Sequence, residues 1–200
     1  MQPTMNGTFR VLPGRGDGEW LFLDVESADP TYLPKAGHGA DGVADLEPGY
    51  RVDATVEWRD DDPVVVDLDV RDRTLFEFVD RADTVFEAAQ ETWRDALADD
   101  AGMNADVTYG TDGDANGVVY TFAEQGGERD LFAEFRDGVR PLDPLVARLA
   151  EGEDPPFEVF VIRPAAEPFV IVYLTIEKGG LLANTVRDTY DCPRAEEVAE

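Results

Sequence analysis

The chain has 200 residues, with 44 Asp and Glu against 17 Lys and Arg, one His and a net charge of −27 at neutral pH. Of the cations, 15 are Arg and only Lys35 and Lys178 are Lys; so much like charge opposes a compact fold in dilute buffer, whereas at roughly molar salt the Debye length falls to about 3 Å and screens it. The expectation is a protein of a salt-accumulating cytoplasm, with no membrane span and no disulfide (the chain has one Cys), whose acidity is a background and not a signal of its partner.

The first third reads as β. Short strands at 8–12 and 20–26 flank PGRGDG, a Gly-rich turn. Residues 50–58 alternate, with Tyr50, Val52, Ala54, Val56 and Trp58 on one face and Arg51, Asp53, Thr55 and Glu57 on the other. Residues 64–73 repeat the pattern, with Val64, Val66, Leu68 and Val70 expected inward, and DDDP at 60–63 joins the two as a hairpin. Between them, 27–49 has no periodicity and reads as a long loop, functional or mobile.

The period then changes. Thr74-Leu75-Phe76-Glu77 has the form of a capping box, and Leu75, Val79, Ala82, Phe86, Ala89, Trp93 and Ala96 follow as one stripe of a helix ending near Gly102. Strands at 105–110 and 117–123 surround TDGDANG. A helix at 128–137 comes next, then a short one at 144–150 that Asp143 caps and Pro144 opens. Residues 157–162 and 169–176 are apolar on both faces and read as central strands. A helix at 181–189 and a frayed tail at 193–200 complete the chain. The fold class expected is α+β: an N-terminal antiparallel β-barrel-like unit (1–74), then an α/β unit (75–192) with two β-hairpins and about three helical regions.

Scarcity narrows the chemistry. Ser27 is the one Ser and His38 the one His, so a Ser-His-Asp site could use only that pair, and Ser27 lacks a G-x-S-x-G elbow. Cys192 precedes Pro193 beside the tail. Histidine metal triads cannot form within one chain, and no cofactor or metal is expected. The N-terminal MQPTMNGTF has no basic segment before an apolar stretch, so secretion is not expected.

Three motifs have a sharp and a bland reading. Gly37-His38-Gly39-Ala40-Asp41-Gly42 spells G-x-G-x-x-G, but Pro48-Gly49 and a strand follow where a dinucleotide site needs a helix. Asp112-Gly113-Asp114-Ala115-Asn116-Gly117 begins like a calcium loop, yet position twelve is Ala123, and the same residues suit a hairpin turn. Arg51, Arg59, Arg71 and Arg73 stand among Asp53, Glu57, Asp67 and Asp69; they form either a phosphate-contacting patch or a ladder of cross-strand ion pairs such as Asp53 with Arg71. Equal numbers of acids favour the ladder. The pair Asp67 and Asp69 could also be read as an acid/base dyad, although nothing in the pattern supplies a pocket around it.

The segments FRVLPGRG, EPGYRVDATVEW, DDPVVVDLDVRDRT, EVFVIRP and TVRDTYDCPR resemble an uncharacterised protein family of salt-loving archaea. That resemblance implies a cellular setting and no catalytic residues. Residues 8–73 are also similar in layout to small β-barrels of the OB and TRAM kind, with strand pairs joined by a Pro/Gly-containing connection from YLPKAGHG to LEPG. That likeness implies RNA or single-strand binding through a basic groove with exposed aromatics, a feature these strand faces lack.

The function expected is a non-enzymatic binding or adaptor module with a protein or RNA partner, no membrane association and no DNA-binding signature. Its contact surface would be the 27–49 loop and the Arg-bearing hairpin, through Lys35, His38, Arg51, Arg71 and Arg73. The competing reading is a small carboxylate- and Arg-based enzyme using a divalent ion.

Overall fold

A computed structural model describes residues 3–127 and 129–193. The class is α+β, with two five-stranded sheets and four helices among the described residues. Those residues fall into two compact units, one within Met1–Phe76 and Ala133–Pro155, the other within Glu77–Phe132 and Pro156–Glu200.

The first unit holds β1 (Thr4–Pro13), β2 (Glu19–Asp24), β3 (Pro30–Pro34), β4 (Arg51–Arg59) and β5 (Asp62–Asp72), in the order β3-β2-β1-β4-β5. Every pairing is antiparallel. Strand β4 alternates as expected, and its Val52, Ala54 and Val56 join Phe9, Val11, Trp20, Phe22, Leu33, Tyr50 and Val65 in one core. On β5 the expected facing holds at Leu68 and Val70, which pack against that core, and fails at Val64 and Val66. The register passes from Thr55↔Asp67 to Val56↔Val65. One extra residue at that bulge flips the facing, so Val65 is fully buried while Val64 and Val66 are half-buried.

The expected loop at 27–49 is not structureless. Residues Thr31 to Leu33 pair with β2, and β3 ends in a proline at each side, which an edge strand tolerates. A 3-10 turn at Val43–Asp45 then places Val43 and Leu46 in the core. Strand pairing does not close a barrel, because the sheet has two ends, β3 and β5. Instead, the chain after β3 reaches across to β5: the Gly39 and Ala40 amides both donate to the Val65 carbonyl at 3.0 Å.

Gly49 shows how tightly the chain re-enters this sheet. Its φ is +100°, a backbone shape that favours glycine, and a Cβ there would lie 2.4 Å from the Phe76 amide nitrogen. The same glycine donates to the Val11 carbonyl at 2.8 Å and accepts from Arg10 Nη1 at 2.8 Å.

The second unit holds β6 (Leu75–Ala82) from Glu77 onward, β7 (Met103–Tyr109), β8 (Ala115–Ala123), β9 (Glu158–Pro164) and β10 (Phe169–Thr175), in a sheet ordered β6-β9-β10-β8-β7. The β7–β8 and β9–β10 hairpins stand where the sequence places them. Helices α1 (Glu87–Ala98) and α4 (Leu181–Thr189) contribute Ala89, Trp93, Ala96, Ala183 and Val186 to a core with Phe160, Ile162, Phe169 and Ile171.

The helix expected from Thr74 is corrected. Leu75, Val79 and Ala82 lie on strand β6, and α1 begins only at Glu87. The capping-box residues are occupied otherwise: the Thr74 amide takes the Asp72 carboxylate at 3.0 Å, and the Glu77 carboxylate faces Arg187. The run LFEFV has β-forming residues, and pairing with the apolar β9 outweighs a stripe whose spacing also fits a helix.

Helix α2 (Leu131–Arg136) is shorter than expected at 128–137, and Glu128 lies outside the described residues. Helix α3 (Asp143–Ala150) starts at Asp143 with Pro144 in its first turn, but the Asp143 carboxylate makes no cap bond. It accepts instead from Arg10, at 3.1 Å from Nε and 2.8 Å from Nη2. Of the expected tail, 194–200 lie outside the described residues.

Candidate binding cavity

The Gly-rich turn between β1 and β2 forms one wall of an open cavity of about 710 Å³ in the first unit. The turn can be this tight because Gly14 has no Cβ; one there would sit 2.5 Å from the Glu19 carbonyl. Its Pro13, Gly14, Arg15, Gly16, Asp17 and Glu19 face Tyr32 and Lys35 from β3 and its end, Glu47 and Pro48 from the connection into β4, and Arg136 and Asp137 from the end of α2, with Trp20 at the base.

Each polar group in that wall has a physical setting. Arg15 turns back on its own hairpin: Nε and Nη2 donate to the Glu19 carboxylate at 3.0 and 2.6 Å, and its backbone amide donates to the same group at 2.9 Å. Those bonds from Arg15 hold the Glu19 carboxyl below its ordinary range, so both partners stay charged. The guanidinium carbon lies 4.2 Å from the Tyr32 ring centroid, and 69% of the Arg15 side chain is exposed. Trp20 is buried, with its indole N–H donating to the Val43 carbonyl at 2.8 Å. Lys35 Nζ rests 3.9 Å from the centre of that indole. Arg136 pairs with its neighbour Asp137, Nε to Oδ1 at 2.8 Å.

Four acids and three cations line the cavity, against 44 and 17 in the whole chain. With Glu19 and Asp137 engaged by arginines, the wall is close to neutral in a strongly acidic molecule. Lys35 is distinctive within it: among the described residues it makes no ion pair, and its ammonium is held only by an aromatic face.

The other expected contact residues lie elsewhere. His38 bridges the two ends of the sheet, its ring bonded to the Pro34 carbonyl through Nε2 while Nδ1 accepts the Val65 amide at 3.1 Å. The Val65 bond requires a bare Nδ1, so Nε2 carries the proton. Arg71 is paired to Asp53 at 3.2 Å and Asp69 at 3.1 Å, which is the ladder geometry. Arg73 lies against Tyr50, with Nη1 donating to the phenol oxygen at 3.4 Å and Cζ 5.4 Å from the ring centroid. Arg51 is exposed at the start of β4. Lys35 thus belongs to the cavity, and Arg51, Arg71 and Arg73 do not line it. Arg15, Tyr32 and Arg136 were not singled out from the sequence; the signal available was an Arg embedded among glycines in PGRGDG.

The nucleophile candidates are occupied in ordinary structure. The Ser27 hydroxyl accepts the Asp29 amide at 3.2 Å, and burial pushes the Cys192 thiol up to about 11. Asp67 and Asp69 are exposed on β5, with Asp69 bound to Arg71. In the 112–117 turn the Asp112 carboxylate accepts the Asp114 amide at 3.0 Å, and Gly110 donates to the Asp114 carbonyl at 2.8 Å, as a hairpin turn does. Among the described residues no group of three or more His, Cys, Asp or Glu is placed to hold a metal ion, and no helix is long and apolar enough to cross a membrane.

The matched span decides the family. Residues 1–195 match the Family of unknown function (DUF6663). The chain belongs to that family. No curated protein and no solved structure matches it. The PGRGDG turn, β3 and the end of α2 all lie inside the matched span, so the cavity is built wholly from family sequence.

Proposed function

We propose that this member of the family is a non-enzymatic binding module of a salt-accumulating cytoplasm, and that its partner docks at the cavity beside the β1–β2 turn. The observation that carries the reading is the Lys35 ammonium: one of two lysines in a chain of net charge −27 is placed at a cavity with no carboxylate partner among the described residues. A cation kept from the surrounding acids is available to an incoming anionic group, and a near-neutral wall removes the local repulsion that the rest of the surface presents.

Two features support RNA as the partner and an OB-type layout as its scaffold. The order β3-β2-β1-β4-β5 has its two ends bridged through His38 and Val65. In OB-type barrels the loop between the first two strands and the face of strands two and three take the ligand. Here those same segments supply Arg15, Trp20, Tyr32 and Lys35. The Arg-bearing hairpin contributes less, since Asp53 and Asp69 already occupy Arg71.

The test is capture of partners by the tagged full chain from a high-salt lysate of its source cells, with and without RNase, beside the Lys35→Glu and Arg71→Glu variants. Partners lost with RNase and with Lys35→Glu, yet kept by Arg71→Glu, are the expected result. Capture abolished by Arg71→Glu and untouched by Lys35→Glu would move the site to the hairpin and overturn the cavity reading.

A further inference from the structure

Arg15 and Lys35 offer two different chemistries to whatever enters the cavity. The Nε and Nη2 edge of Arg15 is closed by Glu19, and one flat face is backed by Tyr32 at 4.2 Å. With most of that side chain exposed, what remains is the opposite guanidinium face and Nη1, a flat cationic platform more than a hydrogen-bonding fork. Guanidinium planes of this kind stack on nucleobases. Lys35 supplies the complement: a point charge held over an indole and, among the described residues, without a carboxylate partner, which suits one phosphate. The volume of about 710 Å³ falls within the usual range for small-ligand sites.

The acids on the same wall refine the choice. Asp17 and Glu47 can accept hydrogen bonds from base amino groups or ribose hydroxyls, and they disfavour a second phosphate beside the first. Salt acts in the same direction. At roughly molar salt a phosphate contact is screened within about 3 Å, whereas stacking is not, so a ligand with a large flat surface and one anionic group is the chemistry that stays bound. We propose that the cavity binds one nucleotide unit, its base stacked on the Arg15 guanidinium and its phosphate at Lys35, supplied as a free nucleoside monophosphate or as an exposed residue of a single RNA strand. This rests on the docking reading above and names what docks.

The experiment is titration of the full chain in roughly molar KCl with nucleoside monophosphates, the matching nucleosides and a short single-stranded RNA, followed by calorimetry and by Trp fluorescence. One saturable site is expected, with the monophosphate binding more tightly than its nucleoside. Arg15→Lys keeps the charge and removes the plane, so it should weaken all three ligands roughly tenfold or more. Lys35→Gln should erase the advantage of monophosphate over nucleoside while leaving nucleoside binding as it was. RNA binding at least tenfold above the monophosphate identifies a strand as the source, and equal affinities identify the free nucleotide. Arg15 and Lys35 lie at the surface of the cavity, and an unchanged circular dichroism spectrum checks that the variants fold. Unaltered binding by Arg15→Lys, or equal binding of benzoate and monophosphate, overturns the proposal. If no nucleotide or RNA binds while Lys35→Glu still abolishes capture of a protein partner, the nucleotide fails and the docking cavity stands.

Discussion

Among the described residues each unit buries one arginine, and the two are held differently. In the first, Arg10 is 3% exposed and reaches outward to Asp143 and Asp72, whose side chains are 17% and 14% exposed, with the Gly49 carbonyl as a neutral partner. In the second, Arg187 is also 3% exposed, but one of its carboxylates, Glu158, is as deep as itself at 1%. Glu77 and the Pro193 carbonyl complete the set at 3.2 and 2.6 Å. A charge whose partner can rehydrate is cheap to lose, and one whose partner is sealed in is not. The second unit should therefore respond more strongly to loss of its arginine, although both side chains look alike in fractional exposure.

Substitutions at these positions can break that comparison, and the largest effect is expected at Arg187. Arg187→Met strands the Glu158 carboxylate in apolar surroundings and should lower stability by about 3–5 kcal/mol, read by denaturant melts at fixed high salt. The double variant Arg187→Met with Glu158→Leu should recover most of that loss, because the uncompensated charge is gone; no recovery would mean that the pair contributes through packing and not through charge. Arg10→Met should cost less, about 2 kcal/mol, since Asp143 and Asp72 can take up water once their partner is removed. Equal losses for the two arginine variants would sink the comparison.

Alkaline pH gives a smaller and more local contrast. In the second unit, burial pushes the Tyr190 phenol from its ordinary 10.0 up to about 12 and the Cys192 thiol from 9.0 up to about 11. Both groups bind their protons more tightly when folded. Their contribution is fully present below the unfolded values and is lost as pH rises, between about 9 and 11 for the thiol and 10 and 12 for the phenol. Stability measured across that window should fall, and Tyr190→Phe should flatten the upper part of the fall. Thiol-reactive reagents should label Cys192 slowly at pH 8 in the folded chain and quickly after unfolding. The smallest effect belongs to Arg71→Ala: its exposed ion pairs with Asp53 and Asp69 should leave the unfolding midpoint within measurement scatter.

These contrasts also mark where local pattern stopped being informative. The β9 and β10 strands were legible because residues apolar on both faces have few other places to go. The hairpin at 112–117 was legible because turn residues act within a few positions of themselves. Leu75 to Ala82 was not, since its spacing suits a helix and a strand equally; only β9 alongside settled it. The Asp53–Arg71 pair could be anticipated from a hairpin register, whereas the Arg10–Asp143 and Arg187–Glu158 pairs join positions far apart in the chain. Nothing in FRVL or TVRD distinguishes an arginine about to be buried from one facing water.

The sequence by itself determined the acidic character of the chain, the α+β class, most strand positions and the scarcity of Ser, His and Cys, because each of these is set by composition or by neighbours a few residues apart. Tertiary structure alone decided that β3 exists, that a bulge turns Val65 inward, that His38 bridges two sheet edges and that Arg15, Tyr32 and Lys35 meet around one cavity. Those outcomes depend on strand register and on contacts between distant segments, which no periodicity along the chain encodes.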